Sequence, residues 1–265
     1  MSEDQRAAAW TALVTGASSG IGRHIALEAA ARCATLVLVA RRRRRLDELA
    51  AEIAGRHPGV DLQVRPADLG EPAERERLLA ALEADGVQVD WLVNAAGFGV
   101  AGRADETDAG RLAAMVELNV AALQHLTLAL LPGMVRRRRG GVLNVASTAA
   151  YQPLPYMATY AATKSFVLSF SEALWQELRG TGVVVTCLCP GRTKTEFFDD
   201  ANMDDVAFTK TPAASPAAVA AAGWRGLMAG RRVVVPGFAN ALGAWCVPLL
   251  PKRPVLWSAA KLFKP

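Results

Sequence analysis

Short apolar segments alternate along the chain with longer segments whose apolar residues recur at helical spacing. Several of the short segments, such as TLVLVA at 35–40, are apolar at consecutive positions, which is typical of strands covered on both faces. Strands are predicted at 11–16, 35–40, 60–67, 90–97, 141–147, 182–190 and 231–237. Helices are predicted at 20–32, 43–56, 71–85, 105–138, 156–179 and 215–229.

This alternation predicts the fold class. Strands separated by helices through short connections are typical of α/β proteins with a parallel sheet. Right-handed crossovers between parallel strands place helices on both faces of such a sheet. We therefore expect a doubly wound parallel sheet of about seven strands, with residues 1–237 forming a single domain.

Residues 238–265 depart from the alternation and are predicted to form a C-terminal appendage. The segment is apolar, carries four lysine or arginine residues, and is interrupted by prolines at 248, 251 and 254. Because proline breaks a helix interior, short helices are expected near 239–246 and 255–263. The apolar surface must pack on its own domain, a partner subunit or a membrane, and packing on protein is the favoured alternative.

Composition narrows the function classes. The chain has 265 residues, of which 52% are hydrophobic, so it can bury a substantial core. Its net charge of +5 comes from 30 basic and 25 acidic residues, a balance unlike that of a dedicated nucleic-acid-binding protein. The cysteines and histidines lack metal-ligand spacing, so no metal site is expected. Without a recognisable signal segment or spanning apolar stretch, a cytoplasmic protein is expected.

A glycine-rich turn follows the first predicted strand. The sequence TGASSGIG at 15–22 places three glycines directly before a helical segment. Glycines allow the backbone to approach a ligand closely, and the N-terminus of the following helix offers free N–H groups to a pyrophosphate. The spacing differs from the general G-x-G-x-x-G fingerprint, but the strand–turn–helix context predicts nucleotide binding.

The chain resembles the short-chain dehydrogenase/reductase family, whose opening motif is T-G-x-x-x-G-x-G. Further matching motifs occur in order as Asp68 in ADL, NAAG at 94–97, ELNV with Asn119, VAS with Ser147, YAATK at 160–164, and Pro190-Gly191. The resemblance covers about residues 10–237 and implies a Rossmann-like fold and a nicotinamide cofactor. The cofactor-binding residues that it implies are Gly16, Ser18, Ser19, Gly20, Ile21, Gly22, Asp68, Leu69, Asn94, Ala95, Ala96, Gly97, Tyr160, Lys164, Pro190, Gly191, Thr193 and Thr195.

Four side chains in these motifs suit hydride transfer to a carbonyl group. Tyr160 could donate a proton to the oxygen, but the usual pKa of a phenol, about 10, is too high for easy exchange. Lys164 lies one helical turn later, and its ammonium is expected to lower the pKa of Tyr160. Ser147 could hydrogen-bond the same substrate oxygen. In the family, the residue at Asn119 holds a water that relays protons to the lysine.

Three hypotheses about function follow. The first is an oxidoreductase that acts on a carbonyl compound or a secondary alcohol. The second is a dinucleotide-sensing binding protein without turnover, for which a broken Ser-Tyr-Lys set would be expected. The third is a membrane-associated lipid or steroid enzyme, which fractionation with and without residues 238–265 would distinguish. The resemblance further implies a homodimer or homotetramer assembled through the helices at 105–138 and 156–179.

Five consecutive arginines, 41–45, follow the second predicted strand. An acid at the end of this strand would bind the ribose 2′-hydroxyl and select NAD. Here Ala40 precedes Arg41 and Arg42, whose guanidinium groups suit a 2′-phosphate, so NADP (NADPH) is the predicted cofactor. The residues Arg43–Arg45 are interpreted as a solvated helix face, in preference to a nucleic-acid patch.

The substrate pocket is predicted to be apolar. Its expected residues are Phe98, Leu154, Tyr156, Met157, Phe197 and Phe198. Such a lining favours an apolar ketone, aldehyde or steroid-like or lipid-like substrate. Residues 193–214 form a long connection without sustained periodicity, and this pattern predicts a lid that closes over the cofactor and the substrate.

Overall fold

The computed structural model of the chain describes residues 10–196, 208 and 211–264. One parallel sheet has the strand order β3-β2-β1-β4-β5-β6-β7. Its strands are β1 (Thr11–Thr15), β2 (Thr35–Ala40), β3 (Asp61–Pro66), β4 (Trp91–Asn94), β5 (Gly140–Val145), β6 (Val183–Leu188) and β7 (Val233–Val234). The strand order reverses between β1 and β4, and this reversal opens a crevice at their carboxyl ends. The predicted doubly wound sheet is confirmed.

Helices cover both faces of the sheet. They are α1 (Gly20–Ala30), α2 (Arg43–Arg56), α3 (Pro72–Ala84), α4 (Ala109–Val116), α5 (Leu123–Arg137), α6 (Ala158–Glu177), α7 (Pro216–Met228), α8 (Phe238–Cys246) and α9 (Lys252–Phe263). Short 3₁₀ turns occur at Thr148–Tyr151 and Val247–Leu249. Most element ends therefore lie within a few residues of the predicted ends.

The residues of β2 show why this strand is apolar at consecutive positions. Leu36 and Leu38 pack into the core formed with α1, α2 and α7. Val37 and Val39 point to the other face, into the core formed with α3, α5 and α6. All four side chains are fully buried, and each such burial is worth about 1.5–3 kcal/mol of transfer free energy. The strand is thereby fixed with Ala40, its last residue, at the rim of the crevice.

The predicted helix at 105–138 starts later and is interrupted. After α4, a π-helical turn spans Glu117–Ala122 and leads into α5. In a π turn each carbonyl accepts from an N–H five residues on, which changes the direction of the side chains, and such turns are frequent at functional sites. The turn carries Asn119. The periodicity of apolar residues does not indicate the π-helical turn, because apolar residues continue through it.

Within the described residues, one helical stretch, Ala109–Arg137, is long and apolar enough by length and composition to cross a membrane. No such stretch was predicted from the sequence, because polar residues such as Gln124 interrupt it. The core helix of a globular domain passes the same test. Leu126 and Met134 of this stretch are buried against the sheet, and 33% of its apolar window is buried inside the protein.

The C-terminal segment forms two helices that extend the domain beyond β7. The second, α9, begins at Lys252 and not near residue 255, because Pro254 fits within its first turn. Ala259 and Phe263 of α9 are buried in a small core with Met115, which lies on α4. This contact brings the end of the chain next to the crevice.

Candidate active site

The crevice contains a cavity of about 410 Å³ that collects most of the predicted site residues. The predicted cofactor-binding residues that line it are Gly16, Ser18, Ser19, Gly20, Ile21, Gly22, Arg41, Arg42, Asp68, Leu69, Ala95, Ala96, Gly97, Pro190, Gly191, Thr193 and Thr195. Ser147, Tyr160 and Lys164 line the same cavity, as do the predicted pocket residues Phe98, Leu154 and Met157. The fold therefore brings the separate motifs to one place.

The glycine turn is held against the end of β4. Gly16 has a φ of +65°, and a Cβ there would lie 2.8 Å from the backbone nitrogen of Ala96. A Cβ on Gly22 would lie 2.5 Å from the carbonyl oxygen of Gly16. The Thr15 hydroxyl accepts hydrogen bonds from the N–H groups of Ala95 (3.0 Å) and Ala96 (3.1 Å). Thr15, which sequence reasoning missed, thus fixes the turn to the neighbouring loop.

The first turn of α1 opens into this cavity. The helix begins at Gly20, and in the described part of the chain the Ser19 side chain makes no capping hydrogen bond to it. Ser19 Oγ instead accepts a hydrogen bond from Arg42 at 2.9 Å, and Arg42 also donates to Ser18 Oγ at 3.2 Å. The N-terminal N–H groups and a guanidinium therefore share one side of the cavity, an arrangement that suits an anion.

A carboxylate approaches the arginine run from a distant part of the sequence. Glu196 accepts from Arg42 at 3.0 Å and from Arg45 at 2.5 Å. The guanidinium of Arg45, and next that of Arg42, lower the pKa of Glu196. The side chain of Arg45 is 40% exposed, as expected for a solvated face, but its ion pair joins it to Glu196, which lines the cavity.

The remaining arginines of the run have partners of a different kind. Arg43 pairs with Asp47 at 3.6 Å and Arg44 with Glu48 at 2.9 Å, both within α2 and at the surface, as the solvated-face interpretation expected. Arg41 lines the cavity and lies 3.7 Å from Asp68. The run thus divides into surface members and members that face the cavity.

Ser147 and Tyr160 form a hydrogen-bonded pair beside the end of β5. The Ser147 hydroxyl accepts from Ala149 N at 3.1 Å and donates to Pro190 O at 3.4 Å. Burial raises the pKa of Tyr160 to about 12, although its hydrogen bond with Ser147 acts in the opposite direction. The expectation that the pKa of Tyr160 lies below its usual value is therefore wrong for this arrangement.

Lys164 lies next to Tyr160 on α6. Its ammonium is 5.7 Å from the centroid of the Tyr160 ring and donates a hydrogen bond to Val145 O at 2.9 Å. Burial lowers the pKa of Lys164 to about 8, because desolvation disfavours the ammonium form.

Asn119 lies behind the cavity wall. Its Oδ1 accepts from Phe98 N at 3.1 Å, and its Nδ2 donates to Phe98 O at 2.9 Å and to Thr163 Oγ1 at 3.3 Å. A Cβ on Gly97 would lie 2.8 Å from Asn119 Oδ1 and 3.7 Å from Lys164 Nζ. The π turn thus directs the amide at the loop after β4, where it fixes the backbone next to Lys164.

The side chain of Asn94 points into the fold. It donates to Thr127 Oγ1 at 3.0 Å and to Asn144 Oδ1 at 2.9 Å, inside the sheet and its covering helix. Among the described residues, those that line the cavity do not include Asn94. The side chain thus joins β4, β5 and α5, and cofactor contact by Asn94 stays a prediction.

The remaining predicted pocket residues are Tyr156, Phe197 and Phe198. Tyr156 has a φ of +65° and lies in a tight loop, where its carbonyl oxygen accepts a hydrogen bond from Gly102 N. Among the described residues, those that line the cavity do not include Tyr156. Phe197 and Phe198 lie outside the described residues. So does most of the predicted lid at 193–214, of which only 193–196, 208 and 211–214 are described.

An apolar wall of the cavity comes from Phe208 and from the end of α9. Phe208, Leu262 and Phe263 line it, and the rings of Phe208 and Phe263 stack with centroids 4.7 Å apart. A strap over the substrate cleft was one of the arrangements that the composition of the C-terminal segment allowed, but no residue of α9 was among the predicted site residues. The only available signal was the i, i+4 spacing of Ala259 and Phe263, which predicts one buried helix face.

Two curated proteins are similar to this chain over much of its length. A sulfoacetaldehyde reductase of Chromohalobacter salexigens is 40% identical over 188 residues, which are 69% of this chain and 72% of that protein. A very-long-chain 3-oxoacyl-CoA reductase of Anas platyrhynchos is 32% identical over 253 residues, which are 94% of this chain and 78% of that protein.

Structural and profile comparisons agree with these likenesses. A short-chain dehydrogenase from Sphingobium yanoikuyae, solved in complex with NADPH, superposes with a TM-score of 0.82 at 33% identity, covering 90% of this chain and 92% of that one. The sequence profile of the short chain dehydrogenase family matches residues 10–205. The chain therefore belongs to the short-chain dehydrogenase/reductase family and is an oxidoreductase that acts on CH–OH groups with a nicotinamide cofactor.

Proposed function

We propose that this protein is an NADPH-dependent reductase of apolar carbonyl compounds, with Tyr160 as the proton donor. One observation carries the proposal: Ser147, Tyr160 and Lys164 line the same cavity as the glycine turn. A phenol, a hydroxyl and an ammonium around one space are the groups needed to receive a carbonyl oxygen as it becomes negative.

The residues present fit a nicotinamide dinucleotide. Gly16 and Gly22 leave a cradle that any Cβ would fill, and the uncapped start of α1 offers N–H groups for a pyrophosphate. Arg41 and Arg42 line the cavity at the end of β2, where they would hold a 2′-phosphate. The absence of an acidic residue at the end of β2, where Ala40 stands, supports the preference for NADP over NAD. When bound, the cofactor supplies the hydride.

Residues of the chain itself would donate the proton to the substrate oxygen and then restore it on the donor. With its pKa raised to about 12, Tyr160 holds its proton at neutral pH and can deliver it to a developing alkoxide. Ser147 lies within hydrogen-bonding distance of Tyr160, so both hydroxyls can reach one substrate oxygen. Lys164, with a pKa lowered to about 8, retains its charge in most molecules at pH 7 and can return a proton toward Tyr160.

The walls around this group support an apolar substrate. Phe98, Leu154, Met157, Phe208 and Phe263 contribute side chains to the lining. Such walls would bury a hydrocarbon-rich ketone or aldehyde and would disfavour a small charged one. A steroid-like or lipid-like carbonyl compound fits this description.

A screen of NADPH oxidation over apolar ketones and aldehydes, preceded by titration of NADPH and NADH, tests the proposal. Tighter binding of NADPH, together with turnover of at least one apolar carbonyl compound, is the expected result. The alternative, a dinucleotide-sensing protein without turnover, predicts cofactor binding with no oxidation for any compound. Oxidation confined to small charged aldehydes would contradict the apolar substrate class.

Assembly into a homodimer or homotetramer is part of the proposal. Val116 and Leu128, on the helical stretch implied in assembly by the resemblance, are exposed apolar side chains that a second copy would cover. Light scattering coupled to size-exclusion chromatography would measure the mass. A cytoplasmic location likewise stays a prediction, as does the lack of a nucleic-acid partner.

A further inference from the structure

Exposed apolar side chains are concentrated in the C-terminal segment. Among the described residues, ten large hydrophobic side chains are more than a third exposed, and seven of them fall between residues 238 and 257. We call these seven the tail face. Its members are Phe238, Leu242, Trp245, Leu249, Leu250, Leu256 and Trp257. A contiguous stretch of this kind is unusual for a surface that meets only water.

The exposed residues of α8 follow the period of the helix. Phe238, Leu242 and Trp245 are spaced at i, i+4 and i+7, so they lie on one side of α8, and Leu249 follows in the 3₁₀ turn. Phe238 is 85% exposed and Trp245 78% exposed, whereas the smaller Ala244 is buried. The helix thus presents its large apolar side chains outward and its small ones inward, the reverse of an ordinary surface helix.

Contacts on the inner side fix this orientation. Asn240 donates a hydrogen bond to Pro236 O at 2.8 Å. A Cβ on Gly191 would lie 2.5 Å from Asn240 Oδ1, so the two residues pack closely. Rotating α8 to bury Phe238 would remove Asn240 from this place beside the cavity. The outward position of the aromatic side chains is therefore built into the fold.

The second helix, α9, has one face on the cavity and another in the open. Leu262 and Phe263 line the cavity. Trp257 is exposed on α9, and the ammonium of Lys261 lies 3.7 Å from the centroid of its ring. Lys252 and Arg253, at the start of α9, are also exposed. Tryptophan and lysine beside apolar side chains are the composition of a helix that lies at a lipid–water interface.

The positive charge near the tail face distinguishes a second copy of the chain from a lipid surface as its partner. Residues 206–265 contain eight lysine or arginine residues and no aspartate or glutamate. A second copy seated symmetrically on the tail face would bring like charges such as Lys252 and Arg253 toward their own counterparts, which is unfavourable. An anionic lipid surface offers both an apolar layer for the aromatic side chains and negative charge for the basic ones.

We propose that the tail face docks on the surface of an anionic lipid bilayer. The aromatic and leucine side chains of α8 and α9 enter the boundary between headgroups and acyl chains, and the exposed basic residues contact the headgroups. Docking does not depend on the reaction proposed for the cavity. If both hold, an apolar substrate dissolved in the bilayer would lie close to the wall formed by Leu262 and Phe263.

The test is flotation of the full chain with phosphatidylcholine vesicles that contain phosphatidylglycerol, compared with pure phosphatidylcholine vesicles. We expect binding to the anionic vesicles that weakens as salt is raised. The double variant F238S/W245S should lower the partition coefficient at least about tenfold, because it removes two large apolar anchors. K252Q/R253Q should lower it about fivefold per removed charge. Met228→Ser, at an exposed apolar residue at the end of α7, is the matched control and should bind like wild type.

Several outcomes would overturn the proposal. Failure of wild type to float with anionic vesicles would do so. Equal flotation of wild type with neutral vesicles, or loss of flotation in the Met228→Ser control, would do so as well. A smaller oligomer for F238S/W245S, measured by light scattering, would assign the tail face to a contact between copies. The NADPH affinity of each variant shows whether that variant is folded. K252Q/R253Q removes only exposed charges, so if F238S/W245S unfolds, the flotation of K252Q/R253Q still tests membrane docking.

Discussion

The Glu196 carboxylate lies 2.5 Å from the guanidinium of Arg45, a residue 151 positions earlier in the chain. The same carboxylate also accepts from Arg42, at 3.0 Å. Arg42, one of the two arginines that we propose for the 2′-phosphate, therefore already holds an internal anion. A phosphate bound there would have to displace Glu196 or share Arg42 with it.

Replacing Glu196 by glutamine should tighten NADPH binding. The variant removes a competing negative charge, and because the pair is partly exposed we expect a gain of about 1 kcal/mol or less, up to roughly fivefold in Kd. NADH, which lacks the 2′-phosphate, should gain little. Fluorescence titration of both cofactors measures the effect.

A matched control for this variant lies on α2. Glu48→Gln removes the surface partner of Arg44, 2.9 Å away, and should leave both affinities unchanged. Weaker NADPH binding in Glu196→Gln would mean that Glu196 supports the site and does not compete within it.

Arg41→Ala and Arg42→Ala should each shrink the difference between NADPH and NADH affinity. A lost charge-assisted contact to phosphate is worth about 1.5–3 kcal/mol. Arg43→Ala, which removes an exposed partner of Asp47, serves as the control. Equal affinity of wild type for the two cofactors would contradict the proposed specificity.

Much of the fold follows from local pattern. The apolar run of β2 predicts burial on two faces, and the turn at 15–22 predicts both the end of β1 and the start of α1. Motif residues such as Ser147 and Tyr160 meet because the carboxyl ends of parallel strands share one edge. Local sequence is sufficient for these features because each depends on a few neighbouring residues.

Features that depend on contacts between distant segments were missed. Glu196 pairs with Arg42, which lies 154 positions earlier in the chain, and the sequence around either residue does not indicate this contact. The π turn at Asn119 depends on how its amide bonds to the loop at Phe98, while the apolar pattern runs on unchanged. The pKa of Tyr160 is raised because its burial outweighs other influences, and a spacing of four residues to Lys164 cannot reveal burial.

The stability of the protein should carry a pH signature of Lys164. Its pKa is about 8 in the folded chain and 10.5 for an ordinary lysine, so the unfolded chain binds more protons between these values. Stability therefore rises with pH across this window, and the full penalty of the buried charge is present below pH 8. The free energy of unfolding of Lys164→Met, taken relative to that of wild type, should be about 2–3 kcal/mol higher at pH 7 than at pH 10.

Urea unfolding of both proteins at the two pH values measures this difference. Ser165→Ala, next to Lys164 in α6, is the control and should show no comparable pH dependence relative to wild type. A constant difference between Lys164→Met and wild type at pH 7 and pH 10 would show that Lys164 keeps an ordinary pKa in the folded chain.

Asn119→Ala should reduce stability as well as activity. The change leaves the N–H and C=O groups of Phe98 without the amide that now pairs with both, and it removes a bond to Thr163. We expect a loss of about 2–3 kcal/mol in the free energy of unfolding. Gln124→Ala, in the first turn of α5, is the comparison. If Asn119→Ala unfolds at the urea concentration of wild type, the positioning role assigned to the amide is wrong.

The most direct test of the central claim is the rate of NADPH oxidation by Tyr160→Phe with a carbonyl compound that wild type reduces. The substitution keeps the ring that packs beside Met157 and Ala161 and removes only the hydroxyl proton. The account predicts a fall in kcat of about 10²–10⁴ with the Kd for NADPH unchanged. A variant that binds NADPH as wild type does and still turns over at the wild-type rate would contradict it.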